Sequence, residues 1–219
     1  MTPSAPIQTT LLLVRHGETD ANVTGTWQGS SDSPLNERGR RQSQMVAERL
    51  AAEGYSGNTV YASPLSRASA TAEAIAGRVN AGAVRLEPDL AEFHLGEWEG
   101  LSYEELRFDR QLWDRMATDP NFTPPGGESA VQFATRLVRV FRQIAARHPG
   151  ETVIVVSHGG AIATAIAMLV NGDGSRWTEY LMANCSLSEM TWNPVPALVR
   201  LNDTAHLAED ARPRNWGAE

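Results

Sequence analysis

Leu11-Leu12-Leu13-Val14-Arg15-His16-Gly17 and Val153-Ile154-Val155-Val156-Ser157-His158-Gly159-Gly160 follow one plan: an apolar run, a polar residue, a histidine and glycine. Short uninterrupted apolar runs of this kind are the pattern of strands buried on both faces, as in parallel sheets. A third run, Thr59-Val60-Tyr61-Ala62, leads through Ser63-Pro64-Leu65-Ser66 into a helix-like stretch. Arg67 is thereby placed in the first helical turn after a strand. The carboxyl ends of parallel strands lie along one edge of an open sheet, where ligands bind. His16, His158, Arg15 and Arg67 are therefore expected to converge on one pocket. Two imidazoles and two guanidiniums suit an anion.

The rest of the chain is consistent with one such sheet. Its 219 residues, 42% hydrophobic and 21% charged, suit a domain with a substantial core. We expect a single domain over residues 10–204, with residues 1–9 and 205–219 as loose polar tails. A formal charge of −7 argues against a nucleic-acid partner, which calls for a basic face. All nineteen basic residues are arginine, and the chain has no lysine. That removes Schiff-base chemistry, pyridoxal enzymes and the lysine-dependent P-loop. The lone Cys185 rules out an internal disulfide framework and fits a reducing compartment. Met1 to Thr10 lacks the basic region and apolar core of a secretory signal, and the longest apolar stretch, Ala161 to Val170, is too short to span a membrane. A cytoplasmic location with no membrane partner is the expectation.

Strand candidates at 10–15, 58–62, 83–86, 152–157, 186–192 and 197–201 alternate, in the first and middle parts, with helical candidates. This implies a layered α/β fold around a largely parallel sheet. Asn36 is expected to cap a helix reaching Glu53, and Ser63-Pro64 to form the N-cap and N1 pair of a helix reaching Val79. Ala130, Phe133, Leu137, Phe141 and Ile144 recur at helical spacing, predicting an amphipathic helix from Glu128 onward. Gly160 to Val170 is apolar nearly all round and predicts a buried helix. Residues 19–35 read as a long loop after the first histidine. Residues 87–127, with Trp98, Trp113, several carboxylates and Pro124-Pro125-Gly126-Gly127, form a second irregular stretch, and long loops in compact domains are often functional. His148 and His206 are expected at the solvated surface, and Trp98 in the core or a pocket wall.

A neutral imidazole at a strand end can attack phosphorus and form a phosphohistidine, splitting one transfer into two easier steps. Its second ring nitrogen must be held as a donor, which fixes the tautomer. Neighbouring arginines would grip the phosphoryl oxygens and hold the developing charge, and the helix N-termini near Arg67 and after His158 would add partial positive charge. The leaving alkoxide needs a proton, which a carboxylic acid can give before it deprotonates the attacking water. Glu87, Asp89, Glu92, Glu97 and Glu99 are five candidates that spacing alone does not separate.

Arg15-His16-Gly17-Glu18-Thr19, Asn22, Gln28-Gly29, Asp32, Pro34-Leu35, Gly39, Ser63-Pro64-Leu65-Ser66-Arg67-Ala68 and Thr71-Ala72 together resemble the histidine phosphatase superfamily in its phosphoglycerate-mutase-like branch. The likeness continues through Leu90-Ala91-Glu92-Phe93-His94-Leu95-Gly96-Glu97-Trp98-Glu99-Gly100, Gly126-Gly127-Glu128-Ser129 and Ser157-His158-Gly159-Gly160, covering about residues 11–190 in order. The resemblance implies a three-layer α/β/α sandwich with a mainly parallel central sheet. It also implies His16 as the phosphorylated nucleophile, Arg15, Arg67 and His158 as the phosphate pocket, and Glu92 as proton donor and acceptor. Asn22 with Gln28 and Gly29 would contact phosphate or substrate from the loop, and Gly159 would bind substrate beside His158. It implies no metal and no cofactor. His94 stands either against the substrate or at the pocket rim.

Rival chemistries fit less well. No G-x-S-x-G elbow exists to supply a serine nucleophile beside His158-Gly159-Gly160. A zinc site using His16 and His158 would face repulsion from Arg15 and Arg67, and H-E-x-x-H spacing is absent. A non-catalytic phosphate-binding module is the remaining non-enzyme reading, against which the joint presence of His16, Glu92, His158 and both arginines weighs. Within the branch, mutases resemble one another in a longer insertion after the glutamate motif and a lysine there, both missing here. Hydrolysis of a small phosphorylated metabolite is the expected reaction, with phosphoglycerate mutase the alternative. A lid-like insertion, residues about 100–125 together with 176–185, would choose the substrate. Arg107, Arg110, Trp113, Arg115, Met116 and Phe122 would form a mixed aromatic and cationic cover or pack as a helical pair. A homodimer through a sheet edge is the expected assembly.

Overall fold

The computed structural model describes residues 8–210. Six strands, β1 (Thr9–Arg15), β2 (Val60–Ala62), β3 (Arg85–Leu86), β4 (Thr152–Ser157), β5 (Leu187–Trp192) and β6 (Pro196–Asp203), form one sheet in the order β3-β2-β4-β1-β5-β6. β1 and β4 pair in parallel with Arg15 opposite Ser157, and β2 pairs in parallel with β4 with Ala62 opposite Val156. β2 also runs parallel to β3, so only β5 is reversed, lying antiparallel to both β1 and β6. The consequence for the site follows from register. His16 and His158 leave neighbouring strands at the same level of one edge, and Ser63 leaves the next strand one residue below them.

Strand residues alternate between faces, and each face has its own core. Leu11, Leu13, Val153 and Val155 pack with Leu137, Phe141 and Ile144 of α5 (Ala130–Arg147) and with α6 (Gly159–Ile166). Leu12, Val14, Ile154 and Val156 pack with Val46 and Leu50 of α2 (Glu37–Ala52) and with Ala72 and Ile75 of α3 (Ser66–Arg78). The result is a three-layer α/β/α sandwich. Leu137, Phe141 and Ile144 are fully buried, so truncating any one to alanine costs about 2–5 kcal/mol. Two shorter helices, α1 (Asp20–Thr24) and α4 (Leu112–Thr118), lie in the segments read as irregular.

Several local expectations need correction. Residues 19–35 are not wholly loop, because Thr19 and Asn22 form a capping box that starts α1. Ser63 does not cap α3; the helix begins three residues later at Ser66, because the Ser63 hydroxyl is engaged by His158. α5 begins at Ala130 rather than Glu128, with Ser129 capping it in a capping box with Gln132. Beyond Ile166 the apolar helix widens into a π turn over Ala167–Asn171. The loose ends are shorter than expected: Thr9 is already in β1, and Ala205–Asp210 forms a 3-10 turn that buries Leu207 against α2. Residues 1–7 and 211–219 of those tails lie outside the described residues. His148 is buried, held between the Tyr61 hydroxyl at 3.2 Å and Glu151 at 2.7 Å. His206 is half-buried, its Nε2 donating to Cys185 O at 2.9 Å. Among the described residues, no helix is long and apolar enough to cross a membrane.

Candidate active site

The turn after β1 is built by close backbone packing. Gly17 lies against Gly39 so tightly that a Cβ at position 17 would fall 2.4 Å from Gly39 O. This contact needs glycine, and it brings the start of α2 directly under His16. Gly17 N donates to Thr71 Oγ1 at 3.1 Å, while the Thr71 hydroxyl donates to Arg67 O at 2.8 Å. Thr71 thus locks the His16 turn to the helix that carries Arg67. On the other side, Asn184 Nδ2 donates to His16 O at 2.9 Å and to Asn22 Oδ1 at 3.1 Å, and Cys185 N donates to Arg15 O at 2.9 Å.

His16 Nδ1 lies 2.7 Å from Gly17 O. A carbonyl can only accept, so Nδ1 carries the proton and the lone pair is left on Nε2. Burial, followed by the positive charges of Arg67 and Arg15, holds His16 well below the usual histidine range. The ring is therefore neutral, as a nucleophile must be. The His158 ring centroid is 5.1 Å away, and His158 is likewise held low by burial and then by Arg67.

Arg67 is fully buried and sits at the crossing of three elements. Its Nε donates to His158 Nδ1 at 3.2 Å, Nη1 to Ser31 O at 2.8 Å and Nη2 to Gly29 O at 2.8 Å. A guanidinium has five N–H groups, so each Nη retains one for an anion. Arg15 Nη1 donates to Met182 O at 2.6 Å. A Cβ on Gly159 would approach Arg15 Nε to 3.2 Å, so the bare backbone there lets Arg15 lie against the start of α6.

Of the five carboxylates, Glu92 is set beside the histidines. Its Oε1 accepts from Phe93 N at 2.8 Å and its Oε2 from Gly160 N at 2.9 Å, in the first turn after His158. Asp89 pairs instead with Arg139, and Glu99 accepts from Ser30 N and from the hydroxyls of Ser30 and Ser31. One N–H at each of the two helix N-termini is already taken by a carboxylate. Glu92 accepts from Gly160 N at α6, and Asp32 from Ser66 N at α3 at 2.7 Å. Arg136 holds the Glu92 segment by donating to the carbonyls of Asp89, Ala91 and Glu92, while pairing with Glu128 at 2.6 Å.

The expected substrate-binding residues form the frame around this centre. Asn22 Oδ1 accepts from Thr19 N, Gln28 Nε2 donates to Thr19 Oγ1 at 2.9 Å, and Gly29 supplies the carbonyl that grips Arg67. His94 is half-exposed, with Nε2 3.8 Å from Glu99. In the segment expected as a lid, Trp27 meets Trp113 edge-on at 5.3 Å and Trp177 at 6.4 Å, while Tyr103 stacks near Trp113 at 4.9 Å. Arg107, Arg110 and Arg115 are exposed and lie over the rings of Tyr103, Trp98 and Phe122. The segment thus packs its aromatic rings together and leaves these three arginines exposed. Ser63, Thr71, Arg136 and Asn184 are site residues that pattern reading did not single out. The first two lay inside quoted motifs, but Arg136 carried only the signal of a polar helix position and Asn184 none.

Known proteins are similar to this chain in sequence and in structure. Phosphoglycerate mutase-like protein 4 of Arabidopsis thaliana is 35% identical over 83% of this chain and 87% of its own length. Metal-independent phosphoserine phosphatase, also from Arabidopsis thaliana, is 41% identical over 70% of this chain and 66% of its own. The crystal structure of phosphoserine phosphatase from Entamoeba histolytica in complex with 3-phosphoglyceric acid superposes with a TM-score of 0.80, at 29% identity, covering 91% of this chain and 99% of that one. Residues 11–204 match the family description as a whole, and this chain belongs to the histidine phosphatase superfamily, branch 1.

Proposed function

We propose that the chain is a metal-independent phosphatase that hydrolyses small phosphomonoesters through a phosphohistidine on His16. The observation that carries this is the His16–Gly17 contact, which leaves the Nε2 lone pair on a ring kept neutral by burial and two guanidiniums. In the first step Nε2 attacks phosphorus and the ester P–O bond breaks, with Arg15 and Arg67 holding the phosphoryl oxygens in the pocket walled by His158. Glu92 gives a proton to the departing alkoxide. In the second step Glu92, now a carboxylate, takes a proton from water as the water attacks phosphorus. The P–N bond breaks, phosphate leaves, and Glu92 is again protonated. Asn22, Gln28, Gly29 and Gly159 frame the substrate.

The names of the relatives support a small phosphorylated metabolite as substrate and leave mutase chemistry as the second reading. Hydrolysis is favoured because a mutase must rebind a doubly phosphorylated intermediate, which calls for further cations over the pocket. Here lysine is absent, and Arg107, Arg110 and Arg115 lie over the rings of Tyr103, Trp98 and Phe122. The buried lone Cys185 supports placing the enzyme in the reducing cytoplasm. The test is steady-state turnover of p-nitrophenyl phosphate and 3-phosphoglycerate with EDTA present, the mutase reaction being assayed in parallel. Phosphate release without isomerisation is expected. Isomerisation with little release would make the protein a mutase, and silence across a substrate panel would make it a binding module.

A further inference from the structure

His158 has both ring nitrogens engaged within the protein. Arg67 Nε, 3.2 Å from His158 Nδ1, can only donate, so Nδ1 must accept with its lone pair. In the neutral ring the proton then sits on Nε2, which lies 2.8 Å from Ser63 Oγ. Ser63 is completely buried, and its oxygen also accepts from Leu65 N at 3.3 Å. The hydroxyl is thereby turned as an acceptor toward the ring rather than used as a helix cap. Protonating Nδ1 would set two donors face to face at 3.2 Å, so this arrangement admits only one tautomer.

We propose that Ser63 is a positioning residue that holds His158 as the neutral, Nε2-protonated tautomer and, through it, sets the plane of the Arg67 guanidinium. The chain of contacts runs from β2 through Ser63, His158 and Arg67 to the carbonyls of Gly29 and Ser31. With Nε pinned by His158 and each Nη pinned by one carbonyl, the two remaining N–H groups of Arg67 have fixed directions. Besides walling the phosphate pocket, His158 thereby aims one of its two guanidiniums. Losing the Ser63 hydroxyl leaves a buried Nε2–H without its acceptor and frees the ring to rotate, releasing Arg67 Nε in turn. Orienting partners of metal-bound histidines typically cost about 10–100-fold in affinity or activity when removed, and a loss of that order is expected here.

The kinetic part of this inference rests on the phosphatase reading, whereas the tautomer does not, so the test has two arms. Nitrogen-15 NMR of the imidazole rings, with His158 assigned by its loss in His158→Ala, reads the tautomer of the wild-type protein without turnover. A protonated Nε2 and a bare Nδ1 are expected; a protonated Nδ1 or a doubly protonated ring at neutral pH overturns the proposal. In the second arm, orthovanadate inhibition and kcat for p-nitrophenyl phosphate are measured for Ser63→Ala, His158→Ala and the double variant. Ser63→Ala is expected to weaken vanadate inhibition about tenfold or more, with no further loss when it is added to His158→Ala, and Ser63→Thr to restore most of it. Losses that multiply in the double variant would show that Ser63 does not act through His158.

Discussion

Replacing Gly160 by alanine should separate the proposed acid from everything else in the site. A Cβ at this position would lie 2.7 Å from Glu92 Oε1, 3.1 Å from Oε2 and 3.2 Å from Cδ. The obstruction is the end of a flexible side chain, so the carboxylate will move and α6 will not. Alanine favours the helix by about 0.8–1.0 kcal/mol over glycine. Loss of the 2.9 Å hydrogen bond from Gly160 N to the carboxylate costs about 1.5–3 kcal/mol. The difference is a destabilisation of about 0.5–2.2 kcal/mol, so the variant folds. Catalysis fares worse: a misplacement of about 1 Å costs roughly a hundredfold, within the 10²–10⁴ that general acid catalysis typically supplies. That corresponds to about 2.7 kcal/mol of transition-state stabilisation. The assay compares kcat/KM for an alkyl ester, β-glycerophosphate, with that for p-nitrophenyl phosphate, whose leaving group departs without a proton. The alkyl ester should lose about a hundredfold and the aryl ester far less. Equal losses on both esters, or none on either, would refute Glu92 as the acid.

Other consequences are open to simple measurement. Burial holds His16 and His158 well below about 6.5, so below that pH the unfolded chain takes up protons that the folded one does not. The stability they contribute is fully present above about pH 6.5 and is lost as the pH falls toward their lowered values; thermal denaturation between about pH 7.5 and 5.5 should show this, with a shallower slope in His158→Asn, and a flat wild-type profile would contradict it. The Cys185 thiol is pushed up to about 12 by burial, so it should ignore a disulfide reagent in the native protein and react once denaturant is added; rapid native labelling would show that the turn behind His16 opens. Arg49 joins α2 to β6 through paired contacts to Asp203 at 2.9 and 2.6 Å and reaches His206 at 3.0 Å. Arg49→Ala should lower urea stability by about 1.5–3 kcal/mol while kcat stays within about twofold, and a change under about 0.5 kcal/mol would mean that the cluster is ornamental.

The parts of the fold legible from sequence were those written in short-range pattern. The apolar runs ending in His16 and His158 marked β1 and β4, the spacing of Phe133, Leu137, Phe141 and Ile144 marked α5, and Asn36 capped α2 with its side chain accepting from Gly39 N as expected. What escaped depends on contacts distant in the chain. Ser63 reads locally as a cap because nothing nearby shows that a ring from β4 will claim its hydroxyl. His148 and His206 read as surface residues because their burial is supplied by Tyr61 and Cys185 from other elements. The reversal of β5 is invisible in its own residues, since the same alternation serves either direction. In the site, residue type announced the nucleophile, whereas the choice of Glu92 among five carboxylates became physical only through its contact with Gly160 N.

The central claim is that His16 is phosphorylated during turnover. Rapid acid-free quenching with phosphorus-32-labelled substrate, followed by gel separation of the denatured protein, reads this directly. The account predicts label on the protein that survives alkali, is lost in mild acid and is absent from His16→Ala. Label retained in His16→Ala, or full turnover by that variant, would contradict it.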